Sequence, residues 1–247
     1  MNALSVYIKN KMNLSIILPA YNEEANIEKT VISVSSLIKD LLIEDYEIIV
    51  VNDGSKDKTG EVVKKMIGKI PNLKLVEHFP NKGYGGALRA GFANSTKDWI
   101  FFMDSDGQFD FNEIKLLIDK KDKGFDIVVG YRAKRSDNFM RKLNAFGWGL
   151  IVRILFGYLA RDIDCAFKLF KREILSKINI DTDGAMVTTE FLAGAKARGY
   201  KIAEIPVSHF PRKEGNSTGA DLHVILKAFR DLFAFRVRLS KELKNRV

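Results

Sequence analysis

Two carboxylates one residue apart, Asp104 and Asp106, stand directly after the apolar run Trp99-Ile100-Phe101-Phe102-Met103 and just before Gln108. Carboxylate and amide oxygens are hard ligands that hold Mg2+ or Mn2+ while leaving positions open for phosphate oxygens. An Asp-x-Asp pair is common by chance; its place at the end of what reads as a buried strand gives this one weight. Asp53 closes another apolar run as Val51-Asn52-Asp53-Gly54-Ser55. There a carboxylate can accept from a base N–H or a ribose hydroxyl, or cap an Asx turn with Gly54 in the left-handed region, and both can hold at once. A third polar loop, Pro19-Ala20-Tyr21-Asn22-Glu23, follows the first apolar run.

These loops need elements to hold them. Leu14–Pro19, Tyr46–Val51, Leu73–His78, Trp99–Met103 and Asp126–Gly130 are short, nearly continuous apolar runs rich in β-branched and aromatic residues, the pattern of strands covered on both faces. Between them Glu23–Leu42, Asp57–Gly68, Gly85–Asn94 and Asn112–Lys121 read as helices, with Asp57 and Asn112 as N-caps. Strands alternating with helices predict an α/β fold with a Rossmann-like, mostly parallel sheet flanked by helices. In such sheets ligands bind beyond the carboxyl ends of the strands, where the three polar loops fall. Glycines 83, 85, 86 and 91 suggest a dinucleotide loop, but that fingerprint belongs after the first strand, so a hydride-transfer enzyme is disfavoured.

The chain has 247 residues and a formal charge of +9, from 40 Lys+Arg against 31 Asp+Glu. The excess is local: residues 131–172 carry ten basic and three acidic side chains, residues 212–247 nine and four, and residues 1–130 seventeen and nineteen. Phe139–Ala160 and Ala220–Lys244 both read as amphipathic, with cations punctuating aromatic faces such as Phe146, Trp148, Phe156 and Tyr158, or Phe229, Phe233 and Phe235. That mixture fits nucleic acid or an anionic membrane surface, the alternative being solvated helix faces over a core. A nucleic-acid module leaves Asp104, Asp106 and Gln108 unexplained, so nucleic acid is not the expected partner. The longest apolar stretch, Leu143–Ala160, is 18 residues interrupted by Arg153 and three glycines, short of the roughly 20 of a spanning helix. One cysteine, Cys165, excludes an intramolecular disulfide framework, and His78, His209 and His223 are too scattered for a zinc site. With no evident secretory signal, the expectation is a cytoplasmic protein, peripherally associated with the cytoplasmic membrane face, whose two amphipathic segments lie in the interface plane. Residues 1–11 read as an extension, with Met12 an alternative start.

Taken in order, Pro19-Ala20-Tyr21-Asn22-Glu23, Val51-Asn52-Asp53-Gly54-Ser55, Asn81-Lys82-Gly83 with Gly85-Gly86-Ala87, and Asp104-Ser105-Asp106-Gly107-Gln108 resemble the family 2 glycosyltransferases of GT-A fold. Val129-Gly130-Tyr131-Arg132, Asp164 to Phe170, and Glu204-Ile205-Pro206-Val207 leading to Arg212 and Gly215-Asn216-Ser217 are most similar to the polyprenyl-phosphate sugar transferases, the dolichol-phosphate mannose synthase and dolichyl-phosphate glucosyltransferase group. The resemblance spans about residues 13 to 219. It implies a GT-A domain over 1–219, with a nucleotide-binding part at 13–130 and an acceptor part at 131–219, followed by a basic amphipathic helix at 220–247. Pro19, Ala20, Tyr21, Glu23, Val51, Asp53, Lys82, Gly83, Asp104 and Ser105 are implied to hold the nucleotide sugar, and Asp104, Asp106 and Gln108 the Mg2+ or Mn2+. Arg132 and Arg212, with Arg141 the weaker match, are implied to neutralise the acceptor phosphate. Asn52 stands where mannose synthases usually carry a second Asp, and Tyr84 where Leu is common, which leaves the donor open between GDP- and UDP-linked hexoses.

Chemistry separates two acceptors. Sugar transfer passes through an oxocarbenium-like centre while charge builds on the departing diphosphate, and a metal, Asp106-held, with Arg132 and Arg212 answers that charge. A hydroxyl acceptor also needs a carboxylate base, for which Glu190 in Thr188-Thr189-Glu190-Phe191 is the candidate, its other reading being a carboxylate at a helix N-terminus. A dolichyl or undecaprenyl phosphate is largely dianionic at neutral pH and needs no strong base. The expected function is therefore inverting, metal-dependent hexose transfer to a polyprenyl phosphate, alone or with a membrane-protein partner, with transfer to a sugar hydroxyl as the alternative. A nucleotidyltransferase would use similar metal-bound carboxylates.

Overall fold

A computed structural model describes residues 12–133, 139–184, 186–212 and 222–244, with the side chains of 139–146 and 222–227 outside the description. Strands β1 (Leu14–Ala20), β2 (Tyr46–Asp53), β3 (Leu73–His78), β4 (Trp99–Met103), β5 (Ile127–Arg132), β6 (Phe167–Lys171) and β7 (Ile202–Val207) form one sheet in the order β3-β2-β1-β4-β6-β5-β7. All run parallel except β6, which is antiparallel to both β4 and β5.

Two of these strands go beyond the five expected. Lys168 interrupts the apolar run of β6 yet is fully buried, its ammonium donating to the carbonyls of Ile163, at 3.0 Å, and Cys165. Aromatic packing holds that strand in place: Phe167 meets Phe101 edge-on with ring centroids 4.8 Å apart, and Phe170 meets Phe92 at 5.5 Å, each such pair adding about 0.5–1.5 kcal/mol beyond its buried area. β7 is one of the two edge strands, a position that tolerates Pro206, and alternate residues on it reach solvent.

Side chains alternate across the sheet with period two. Ile16, Leu18, Ile48, Val50, Phe101 and Val128 face one layer, covered by α1 (Ile27–Asp40), α2 (Thr59–Met66) and α4 (Ile114–Asp122). Ile17, Ile49, Ile100, Phe102, Ile127 and Val129 face the other, covered by α3 (Gly83–Asn94), α5 (Phe139–Phe156), α6 (Val187–Lys196) and α7 (Leu222–Lys244). Helix starts differ from expectation where side chains hold loops instead. α1 begins at Ile27 because Asn22, Glu23 and Glu24 are bonded to the β2–α2 loop. Asp110, not Asn112, caps the turn before α4, accepting from the Asn112 amide.

The two amphipathic segments become α5 and α7, packed on each other through Trp148 and Phe229, at 5.6 Å, and stacked Phe156 and Phe235, at 5.3 Å. Val152, Leu232, Phe235 and Leu239 are buried against the domain. Among the described residues no helix is long and apolar enough to cross a membrane.

Candidate active site

β1 and β4 are neighbours, while the chain runs outward from β1 to β2 and β3 before returning, so a crevice opens where the strand order reverses. A cavity of about 1000 Å3 occupies it, walled by the loops that follow β1, β2, β3 and β4. Pro19, Ala20, Tyr21, Glu23, Asp53, Gly83, Asp104, Ser105, Asp106 and Arg212, from five separate stretches, share that wall.

The loops are laced to each other. The Asn22 amide donates to Ser55 Oγ at 3.0 Å, the Lys56 amide to Asn22 Oδ1 at 2.8 Å, and the Glu23 amide to Thr59 Oγ1 at 2.8 Å. Gly54 has φ +70, and a Cβ there would lie 2.7 Å from the Asn81 nitrogen, so only glycine lets the third loop close over the second. Asp53 is nearly buried; its Oδ1 accepts from the Lys82 amide at 3.0 Å and lies 2.7 Å from His78 Nδ1. The Asx turn here belongs to Asn52, whose Oδ1 accepts from the Ser55 amide at 3.2 Å, while Asp53 ties the second loop to the third and lines the cavity.

At the other end Asp104 is half-buried beside Asp106. Burial and the Asp106 charge push its pKa up to about 7, against the opposing pull of Tyr84, Lys168 and Arg132. Two carboxylates crowded enough to resist ionising together are a donor pair that a divalent cation relieves, which fits Mg2+ or Mn2+. Among the described residues no group of three His, Cys, Asp or Glu gathers. Ser105 donates its hydroxyl to the Pro19 carbonyl at 2.8 Å, fixing the carboxylate loop to the first loop. Glu23 is paired with Arg212; burial raises its pKa, while Asn26 and Arg212 lower it.

Other expected residues sit off the cavity wall. Val51 is fully buried in the apolar layer, and Lys82 serves Asp53 through its backbone amide. Gln108 clamps a strap: its Nε2 donates to the Phe210 carbonyl and its own backbone carbonyl accepts from the Phe210 amide, both at 2.8 Å, so its side chain is engaged two residues before Arg212. Arg132 turns its fork to Asp162, Nε at 2.7 Å and Nη2 at 2.8 Å, and acts on Asp104 through charge. Glu190 is buried, with one oxygen on Arg238 Nη2 at 2.8 Å and the other accepting from the Asp181 and Thr182 amides at 3.0 Å. Both Glu190 oxygens are thus engaged within the domain, and Glu190 stands off the cavity wall. The Arg141 side chain, the Gly215-Asn216-Ser217 stretch and the 219/220 boundary lie outside the described residues. Sequence reasoning missed Phe79, 96% exposed on the cavity rim, and His78 behind Asp53. Phe79 stands next to Pro80 and two residues before Asn81, and its position after a strand was the available signal.

A family model described as glycosyl transferase family 2 matches residues 15–178. The chain is 33% identical over 209 residues to a dolichyl-phosphate beta-glucosyltransferase of Trichomonas vaginalis, covering 78% of this chain and 64% of that one. It is 32% identical over 216 residues to the Dictyostelium discoideum dolichyl-phosphate beta-glucosyltransferase, covering 79% and 65%. An undecaprenyl-phosphate 4-deoxy-4-formamido-L-arabinose transferase of Enterobacter is 29% identical over 214 residues, covering 86% and 64%. The chain thus spans just under two thirds of the length of these relatives. In fold it is similar to glucosyl-3-phosphoglycerate synthase of Mycobacterium tuberculosis, solved with Mn2+, UDP and glucosyl-3-phosphoglycerate, at TM-score 0.65 and 20% identity over 92% of this chain and 80% of that one. Ordered strand-end loops, a paired-carboxylate site and the family match over residues 15–178 lead to one conclusion: the chain belongs to glycosyl transferase family 2.

Proposed function

We propose that this protein transfers a hexose, with inversion and with a divalent cation, from a GDP- or UDP-linked sugar to a polyprenyl phosphate at the cytoplasmic face of a membrane. The observation that carries the reading is one cavity with Asp53 on its wall toward the β2 loop and Asp104, Asp106 and Arg212 together toward the β4 loop. Its lining suits a nucleoside diphosphate: a nucleoside against Pro19, Ala20, Tyr21 and Asp53, with the diphosphate against the carboxylate pair and the arginine. The named relatives act on dolichyl and undecaprenyl phosphates, which supports the acceptor class.

In the proposed reaction an acceptor phosphate oxygen attacks the sugar C1 as the C1–oxygen bond to the diphosphate breaks. The diphosphate leaves with the electron pair, inverting the centre in one displacement. Mg2+ or Mn2+, held by Asp104 and Asp106, would supply Lewis-acid stabilisation of the leaving diphosphate. Arg212 leaves Glu23 for the phosphates as the donor enters, exchanging one carboxylate partner for a stronger anion. Preorganised cationic groups of this kind are worth about 2.7–4 kcal/mol each. An acceptor already dianionic loses no proton, so engagement of both Glu190 oxygens favours phosphate over hydroxyl. The lipid is met through the outer face of α5 and α7, where Leu150, Ile154, Phe233 and Val237 are exposed beside Arg153, Arg230 and Arg236, a composition suited to anionic headgroups.

The test is incubation of the full chain with anionic vesicles carrying undecaprenyl or dolichyl phosphate, Mn2+, and labelled UDP-glucose or GDP-mannose. Label becoming organic-soluble and mild-acid-labile is expected. Asp106→Ala or EDTA should lower the rate at least about 100-fold. Label transferred only to water-soluble sugar acceptors would overturn the lipid reading, and full activity in EDTA the metal reading.

A further inference from the structure

The carboxylate Glu190 is buried off the cavity wall, and its partner lies on α7. Arg238 sits on α7 one residue after exposed Val237. Its guanidinium reaches inward, with Nη2 on Glu190 Oε1 at 2.8 Å and Nη1 on the Asp181 carboxylate. Nε has Glu242 Oε1 as its carboxylate neighbour at 3.8 Å. The second Glu190 oxygen accepts from the amides of Asp181 and Thr182, both at 3.0 Å. One cation and one carboxylate therefore set the position of the 181–183 segment.

That segment is in turn the back wall of the cavity's glycine turn. The Asp183 carbonyl accepts from the Gly85 amide at 2.7 Å, and Arg89 of α3 donates to the Asp181 carbonyl at 2.9 Å. A Cβ on Gly85 would lie 2.3 Å from the Thr182 carbonyl oxygen, so the two backbones are in close contact and neither moves without the other. Gly83 and Tyr84, in the same first turn of α3, line the cavity together with Asp104. The path from exposed face to cavity is thus Arg238, Glu190 with Asp181, the 181–183 segment, then Gly83-Tyr84-Gly85, with a direct bond or backbone contact at every step.

Resting on the functional reading above, we propose that Arg238 is a positioning residue that couples the seating of α7 on an anionic lipid surface to the nucleoside-diphosphate site. Seating α7 fixes Arg238, which fixes the 181–183 segment, which holds the first turn of α3 in the shape that receives the diphosphate. Coupling of this kind is reciprocal: the nucleotide must tighten vesicle binding by the factor by which vesicles tighten nucleotide binding.

Two measurements on the full chain test it. UDP and GDP are titrated by calorimetry in Mn2+, with and without phosphatidylglycerol vesicles, and deuterium exchange of the 83–89 segment is followed with vesicles alone. Vesicles should tighten nucleotide binding about tenfold in the unaltered protein and slow exchange of the Gly85 and Gly86 amides. Arg238→Gln should keep vesicle binding and lose both responses, and Arg238→Lys should retain part of each. Glu190→Gln keeps an acceptor for the two amides while losing the charge partner; it should lose the same responses, and it serves if Arg238→Gln has a lowered melting temperature. Vesicle-independent exchange in the unaltered protein, or full responses in both Gln variants, would overturn the coupling. Exchange that responds to vesicles while neither nucleotide binds would overturn the functional reading and, with it, the nucleotide end of the coupling, leaving only a link from α7 to the glycine turn.

Discussion

Phe79 carries almost its whole ring surface in solvent at the rim of a cavity whose wall also holds Asp53 and Asn81. An aromatic ring left bare beside a polar carboxylate is arranged for a flat partner, and a nucleobase has one. Base–aromatic stacking is worth about 1–3 kcal/mol, so Phe79→Ala should raise the donor KM roughly 5- to 150-fold with kcat nearly unchanged, the pattern of lost uniform binding. Phe79→Trp should restore it; a fall in kcat at constant KM would place Phe79 elsewhere in the reaction. At this scale Asp53, Asp104 and Asp106 were legible because each follows an apolar run, and strand ends are where a parallel sheet gathers its loops. The Arg238 partner of Glu190 was not legible, since it lies 48 positions away and local sequence carries no sign of it. Arg132 and Gln108 were found as polar residues near the site, but the partners that take their side chains, Asp162 and Phe210, come from distant segments.

Among elements, β2 is fixed at its start by Glu47, which takes the Ser15 hydroxyl at 2.6 Å, the Thr96 amide at 2.6 Å and the Lys74 ammonium at 2.6 Å. It therefore ties β1, β3 and the segment before β4 to β2. Burial pushes the Glu47 pKa up, and Lys74, Ser15 and Thr96 outweigh it, holding the carboxyl at about 2 against 4.5 unperturbed. A depressed folded pKa gives stability that is present above pH 4.5 and lost as pH falls toward 2. The shift corresponds to about 3 kcal/mol, so Glu47→Gln should lower stability at pH 7 by that order and flatten the acid limb between pH 4.5 and 2 in denaturant titrations. An unchanged acid limb would remove Glu47 from this role. The first five strands were legible as continuous apolar runs. The sixth was not, because a lysine broke its pattern and only the folded protein supplies the Ile163 and Cys165 carbonyls that satisfy it. Its reversed direction was equally unreadable, since strand direction depends on connections whose paths no local pattern encodes.

For the whole molecule, the net charge of +9 divides into a slightly acidic region over residues 1–130 and two basic segments, and the fold brings those segments together. α5 and α7 pack on one another and each turns one apolar stripe inward, leaving a second outward. Leu150 and Ile154 are spaced four apart on α5, as are Phe233 and Val237 on α7, so each pair projects from one side of its helix. The helices dock on the domain, and they keep an apolar outer face that docking leaves uncovered. Burying a side chain such as Ile or Phe in lipid contributes about 1.5–3 kcal/mol, and each cation near an anionic surface about 1 kcal/mol. Replacing Ile154 and Phe233 together by Asp should therefore weaken flotation with phosphatidylglycerol vesicles more than about 100-fold. UDP binding without vesicles should stay unchanged, because neither side chain touches the cavity wall. Raising salt should weaken the unaltered protein's vesicle binding without abolishing it, since the cations are screened and the apolar stripe is not. Loss of flotation by salt alone, with the double variant indistinguishable from the unaltered protein, would make the surface purely electrostatic and leave the two exposed stripes without a lipid role.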